Sequence, residues 1–168
     1  AASLAGCDVG DPQYQATDTP AVHVADALST LALKADGTPE DPQRIAADGS
    51  TKIVPSASIR IRFDRYLLPG SVTRQAFCLQ ADPADVGDIT GCSKPVFIEP
   101  SYDPVRREVV LRQKVGARLA LGTLYKLTLY QAEIEGTCPD TPRSCGMRAF
   151  DGAPHDAVYS IMFRTVDA

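Results

Sequence analysis

Tryptophan is absent from this chain, histidine occurs only as His23 and His155, and no run approaches the roughly 18 apolar residues that a bilayer-crossing helix needs. There is also no basic stripe with interleaved aromatics, so nucleic acid is not expected as a partner. A G-x-S-x-G elbow, a phosphate-cradling glycine loop and an H-E-x-x-H motif are all missing. A hydrolase triad would need one of the two histidines beside a nucleophile and an orienting carboxylate. His155-Asp156 is close to Ser160 in sequence, but strand geometry sets their separation without regard to catalytic reach, so we read His155 as an exposed residue at a strand start. Glu133 and Glu135 alternate in a way that could flank a glycosidic bond, yet such a site needs sugar-stacking aromatics and Trp is lacking. No catalytic residue is assigned, an enzyme is the least favoured class, and no cofactor is expected.

The hydrophobic share of 44% in 168 residues suffices for one core. Charge is uneven. Residues 1–50 carry eight acids (Asp8, Asp11, Asp18, Asp26, Asp36, Glu40, Asp41, Asp48) against Lys34 and Arg44, while the rest of the chain is slightly basic. Three aspartates, Asp82, Asp85 and Asp88, share a loop and raise the question of calcium, but their spacing lacks the turn glycine and closing glutamate of an EF-hand. A solvated loop is the plainer reading. Five cysteines are present: Cys78 and Cys92 lie 14 positions apart, Cys138 and Cys145 seven, and Cys7 is left over. Two local disulfides are favoured over a metal set, because neither pair has C-x-x-C spacing and no histidine lies nearby. Oxidised pairs imply an extracytoplasmic compartment.

Alternation with period two marks the strands. In Ile59-Arg60-Ile61-Arg62-Phe63-Asp64 the apolar and charged residues take opposite faces, and Pro69-Gly70 ends the run. That turn predicts residues 76–80 as the neighbouring strand. Further strands are expected over 28–34, around Ile45, from Val96 to a limit at Pro100, over 108–113, in the 119–129 stretch and over 157–165. For residues 22–34 a helical face of Val24, Leu28 and Leu31 competes with the strand. Short strands at regular spacing predict an all-β sandwich. The long stretch 135–152, holding Cys138 and Cys145, is the expected place for individual specificity.

At the start, Leu4-Ala5-Gly6-Cys7 resembles a bacterial lipobox. The polar, turn-rich DVGDPQYQATDTP that follows reads as a flexible tether. The resemblance implies that Cys7 becomes the acylated first residue of a lipoprotein, with the rest of its leader upstream. This divides the chain into 1–7, a signal remnant; 8–42, an acidic linker with a possible extra strand; and 43–168, the body. Asp8 after the cysteine resembles an inner-membrane retention signal of enteric bacteria, but an outer membrane or cell-surface location is favoured.

The succession Val54-Pro55, Ile59 to Asp64, Pro69-Gly70-Ser71-Val72, then Leu121-Gly122-Thr123-Leu124-Tyr125-Lys126-Leu127-Thr128-Leu129, then Phe163-Arg164-Thr165 resembles the bacterial Ig-like domain of S-layer proteins and many surface lipoproteins. The likeness covers about residues 43–166. It implies an immunoglobulin-like antiparallel β-sandwich acting as a spacer, adhesion or protein-interaction module, with no shared active site. Fold and function are separable, so a glycan or small-ligand module stands as the alternative. Exposed aromatics on one sheet face would favour a glycan; an apolar patch or a long bare edge would favour a protein.

Overall fold

A computed structural model describes residues 20–30, 42–83, 92–132 and 146–167. Cys7, Cys138, Cys145, Asp85, Asp88, Glu133, Glu135, the tether and residues 31–34 lie outside the described residues. The chain forms an all-β sandwich of two five-stranded sheets. Its strands are β1 (Val24–Thr30), β2 (Gln43–Arg44), β3 (Lys52–Ile53), β4 (Ser58–Phe63), β5 (Phe77–Ala81), β6 (Pro95–Val96), β7 (Ile98–Asp103), β8 (Glu108–Gln113), β9 (Leu124–Leu129) and β10 (Tyr159–Thr165). One sheet has the order β2-β1-β4-β8-β7 and the other β3-β10-β9-β5-β6. Pairing is antiparallel except for the short parallel contact of β3 with β10.

The alternation in β4 does what it predicts. Ile59, Ile61 and Phe63 are buried between the sheets, facing a core that includes Val109 and Leu111 of β8, Tyr125, Leu127 and Leu129 of β9, and Ile161 and Phe163 of β10. Each such side chain contributes about 1.5–3 kcal/mol on burial. The Tyr125 and Phe163 rings stack with centroids 5.6 Å apart. The Tyr125 hydroxyl reaches back and accepts the Ala120 N–H at 2.8 Å. Arg60 and Arg62, on the outer face of β4, both turn toward Glu108 of β8: Arg62 Nη2 and Nε donate to Oε1 at 2.6 and 3.2 Å, and Arg60 Nη1 to Oε2 at 3.5 Å. Register puts Arg62 directly opposite Glu108, so the carboxylate is buried beneath guanidinium groups.

Several sequence expectations need correction. Residues 76–80 do form a strand, β5, but not beside β4, whose neighbours are β1 and β8. Between them the chain makes two short 3-10 turns, Pro69–Ser71 and Arg74–Ala76, and crosses to the opposite sheet, where β5 pairs with β9. The strand expected over 28–34 begins at Val24 instead and pairs along β4 from Val24 opposite Phe63 to Thr30 opposite Ser58, so this part of the acidic segment belongs to the sandwich. Pro100 does not limit its strand. It sits inside β7, and β7 is an edge, where one side of the backbone is unpaired and a missing N–H removes no ladder bond. Finally, β9 is buried on both faces, Lys126 and Thr128 included, together with Cys78 and Gln80 on adjoining β5.

Cys78 and Cys92 are bonded, as the spacing predicts, with Cα atoms 6.1 Å apart. The bridge ties β5 to the segment that leads into β6.

Candidate functional site

Among the described residues, the end of the sandwich where β4 finishes, the β7–β8 hairpin turns and residues 146–156 return carries the most exposed aromatic surface. Leu67 is buried and anchors the segment after β4. Around it the backbone is tied to the returning chain by a bridge between Leu67 and Ala149, by Leu68 N–H to the Arg148 carbonyl at 2.8 Å, and by Phe150 N–H to the Tyr66 carbonyl at 2.9 Å. Tyr102 at the end of β7 accepts the Leu67 N–H on its hydroxyl at 2.9 Å. The backbones of Tyr66 and Phe150 are therefore fixed relative to each other, while their rings are 61% and 71% exposed. Ordered apolar surface left in water is costly unless something covers it.

Two clefts share these rings. One, of about 390 Å³, is apolar and lined by Tyr66, Leu67, Pro69, Tyr102, Pro104 and Phe150. The other, of about 440 Å³, is lined by Asp64, Arg65, Tyr66, Arg107, Phe150 and Asp151. In the charged cleft Arg65 pairs with Asp151 and also donates to the Pro20 carbonyl. Burial opposes ionisation of Asp151, but the Arg65 guanidinium and the Ala153 N–H outweigh it and hold the carboxyl below its ordinary value. Arg107 occupies the left-handed region at φ 56°, where glycine or asparagine is the usual occupant. Its guanidinium carbon lies 5.8 Å from the Tyr66 ring centroid, and Nη1 donates to the Asp64 carbonyl at 2.7 Å.

Behind this end both histidines meet. His23 is exposed and places Nδ1 3.2 Å from Asp64 Oδ2 and Nε2 3.5 Å from Asp156 Oδ1. His155 is not the exposed residue expected from sequence. It is 2% exposed, with Nδ1 3.2 Å from the Tyr130 carbonyl and its ring edge-on to Phe63. The cause is tertiary: Val22 bridges to His155 in parallel, Ala132 N–H donates to the His155 carbonyl at 2.7 Å, and His155 N–H donates to the Met147 carbonyl at 2.9 Å. Burial pushes its imidazole below the ordinary histidine value. With Nδ1 on a carbonyl oxygen, that nitrogen carries the proton and Nε2 is left as the acceptor of the neutral ring. Among the described residues no three His, Cys, Asp or Glu side chains gather to hold a metal ion.

A third cleft, of about 340 Å³, lies by the disulfide and includes Phe97, Cys78 and Cys92. Its exposed ring is already occupied: the Arg74 guanidinium sits 4.3 Å over the Phe97 centroid. Sequence reasoning pointed to the 135–152 stretch, and Phe150 and Asp151 do come from it. It missed Tyr66, Tyr102, Arg65 and Arg107, which stand at strand ends and turns where no periodicity singles them out. The chain matches no family model and no curated protein sequence.

Proposed function

We propose that this chain is the body of an envelope lipoprotein, an Ig-like sandwich that binds a protein partner through the Tyr66 and Phe150 end. Strand order supports the Ig-like reading. In the lettering of immunoglobulin sheets, β1-β4-β8-β7 follows A-B-E-D and β10-β9-β5 follows G-F-C, with β3 added in parallel along β10. The Tyr125 hydroxyl on the Ala120 N–H, near the start of β9, fits the tyrosine corner of that fold. The bonded Cys78 and Cys92 agree with an oxidising compartment. Attachment rests on Cys7 in its lipobox-like setting, where several acyl chains on one residue hold a protein to a membrane at about 0.8 kcal/mol per buried CH₂. The outer membrane or the cell surface is the favoured site.

One observation carries the binding function: two large rings held by backbone hydrogen bonds and left exposed around an apolar cleft. Aromatic and arginine side chains in such settings dominate binding energy at protein interfaces. The rings gather in an end cleft instead of spreading over a sheet face, which favours a protein over a glycan. A photo-crosslinking residue placed at 66 or 150 should capture the same envelope protein, and one at Val115, 97% exposed at the far end, should capture none. Equal capture from all three positions, or capture only of glycan, refutes this reading. Cys7→Ser, expressed from the full-length precursor, should leave the membrane fraction and lose labelled fatty acid; unchanged partitioning with an unlabelled wild type refutes the anchor.

A further inference from the structure

We infer that the partner presents an extended, proline-containing segment whose apolar residues enter the Tyr66–Tyr102–Phe150 cleft while an adjacent carboxylate meets Arg107. The inference rests on the protein-binding reading above. Three modes of peptide recognition are general, and the site discriminates among them. Strand addition runs along a free sheet edge such as that of β7, but of the cleft's lining only Tyr102 lies in β7; the rest comes from the loop after β4, the β7–β8 turn and the return around Phe150. A docked helix needs a groove long enough for several successive anchors, and about 390 Å³ holds only a few side chains. An extended proline-rich segment needs a short aromatic-lined slot, and Tyr66, Tyr102, Phe150, Pro69 and Pro104 supply one. A sugar fits this slot poorly, because its hydroxyls would be desolvated against walls that offer little beyond tyrosine oxygens.

Charge sets the direction of the segment. Both acids of the neighbouring cleft are already engaged: Asp64 accepts the His23 N–H at 2.8 Å and faces the His23 ring, and Asp151 is held by Arg65. Arg107 has no carboxylate partner among the described residues and spends Nη1 on a backbone carbonyl, leaving other N–H donors of its fork for a ligand. Its backbone sits at φ 56°, where an arginine is strained and a glycine is not, so a glycine there removes the side chain without straining the turn. Beside Tyr66, which lines both clefts, the guanidinium lines the charged one, where a carboxylate following apolar residues would reach it.

The test uses two capped octapeptides of proline and leucine, one ending in two glutamates and the other in two lysines, titrated into the ¹⁵N-labelled body by NMR. A hexasaccharide of N-acetylglucosamine serves as the glycan probe. The acidic peptide should move amides of residues 64–68, 104–107 and 149–152, and bind about tenfold tighter than the lysine peptide, as one charge-assisted hydrogen bond implies. Arg107→Gly, which relieves the turn and keeps the fold, should abolish that preference while both peptides still enter the cleft. Equal affinity of the two peptides, an unchanged preference in Arg107→Gly, shifts outside these segments, or binding of the sugar alone overturns the inference. Crosslinks from 66 and 150 to an envelope protein that survive such a failure would leave the protein-binding reading standing with a different class of ligand.

Discussion

Buried His155 makes the stability of the sandwich depend on pH in a direction that can be worked out. The imidazole is 2% exposed, donates from Nδ1 toward the Tyr130 carbonyl and packs edge-on to Phe63. Burial lowers its pKa in the folded state, outweighing the hydrogen bond to Tyr130 and the attraction of Asp156 that act the other way. In the unfolded chain it titrates near the ordinary value of about 6.5. Between that value and the lower folded one, the unfolded state binds the extra proton, so stability falls as pH falls. The contribution is fully present above pH of about 6.5 and is lost at up to about 1.4 kcal/mol per pH unit until the folded pKa is passed. The control is His155→Asn, whose amide can still donate to the Tyr130 carbonyl but does not titrate. Loss of ring packing should lower its stability by about 1–2 kcal/mol at pH 7.5. Urea denaturation of both proteins at pH 7.5, 6.5 and 5.5 measures the gap between them, which should narrow steadily toward pH 5.5. A gap that stays constant or widens on acidification refutes the argument, because the carboxylates are common to both proteins and cancel.

Gly146 packs so closely on the chain leaving β9 that an added Cβ would lie 2.5 Å from the Ala132 nitrogen and 2.6 Å from the Gln131 carbonyl carbon. Gly146→Ala should therefore destabilise by about 2 kcal/mol or more and lower the melting temperature, and a variant of wild-type stability would show that this return can shift freely. Replacing Cys78 and Cys92 together by alanine should remove about 3 kcal/mol by the loop-entropy estimate, read as a urea midpoint below that of the oxidised wild type. Tyr125→Phe deletes only the hydroxyl that accepts the Ala120 N–H and should cost about 1 kcal/mol, with hydrogen exchange accelerated at Ala120 and not at Phe63.

How much of this was legible in the residues differs by element. Strands β4 and β10 stand out because one face meets the core and the other meets water or a salt bridge, which writes a period of two into the sequence, while β8 shows it less, with Val110 buried on its outer face as well. The two-residue strands β2, β3 and β6 carry no such period, since their pairing is imposed by the longer neighbours. Pro100 misled because a proline reports a missing donor, and only the finished sheet says whether that donor faced a partner. Partnership of the strands was likewise hidden, as the crossing from β4 to β5 depends on two short turns. His155 was misjudged for a related reason: its surroundings come from Val22, Phe63 and Tyr130, all distant in sequence. The binding end was the least legible. Tyr66 and Phe150 are isolated aromatics in irregular segments, and they become a site only once their backbones pair.

Arg65 donates to the carbonyl of Pro20, so the described chain begins beside the charged cleft and not at the opposite pole. Twelve residues lie between Cys7 and Pro20, a span of at most about 45 Å when fully extended. With Cys7 held in a lipid leaflet, the aromatic end would hang bilayer-side, within that distance of the headgroups. The partner's segment would then have to approach close to the membrane, which directs the search toward juxtamembrane stretches of envelope proteins rather than toward distant secreted ligands.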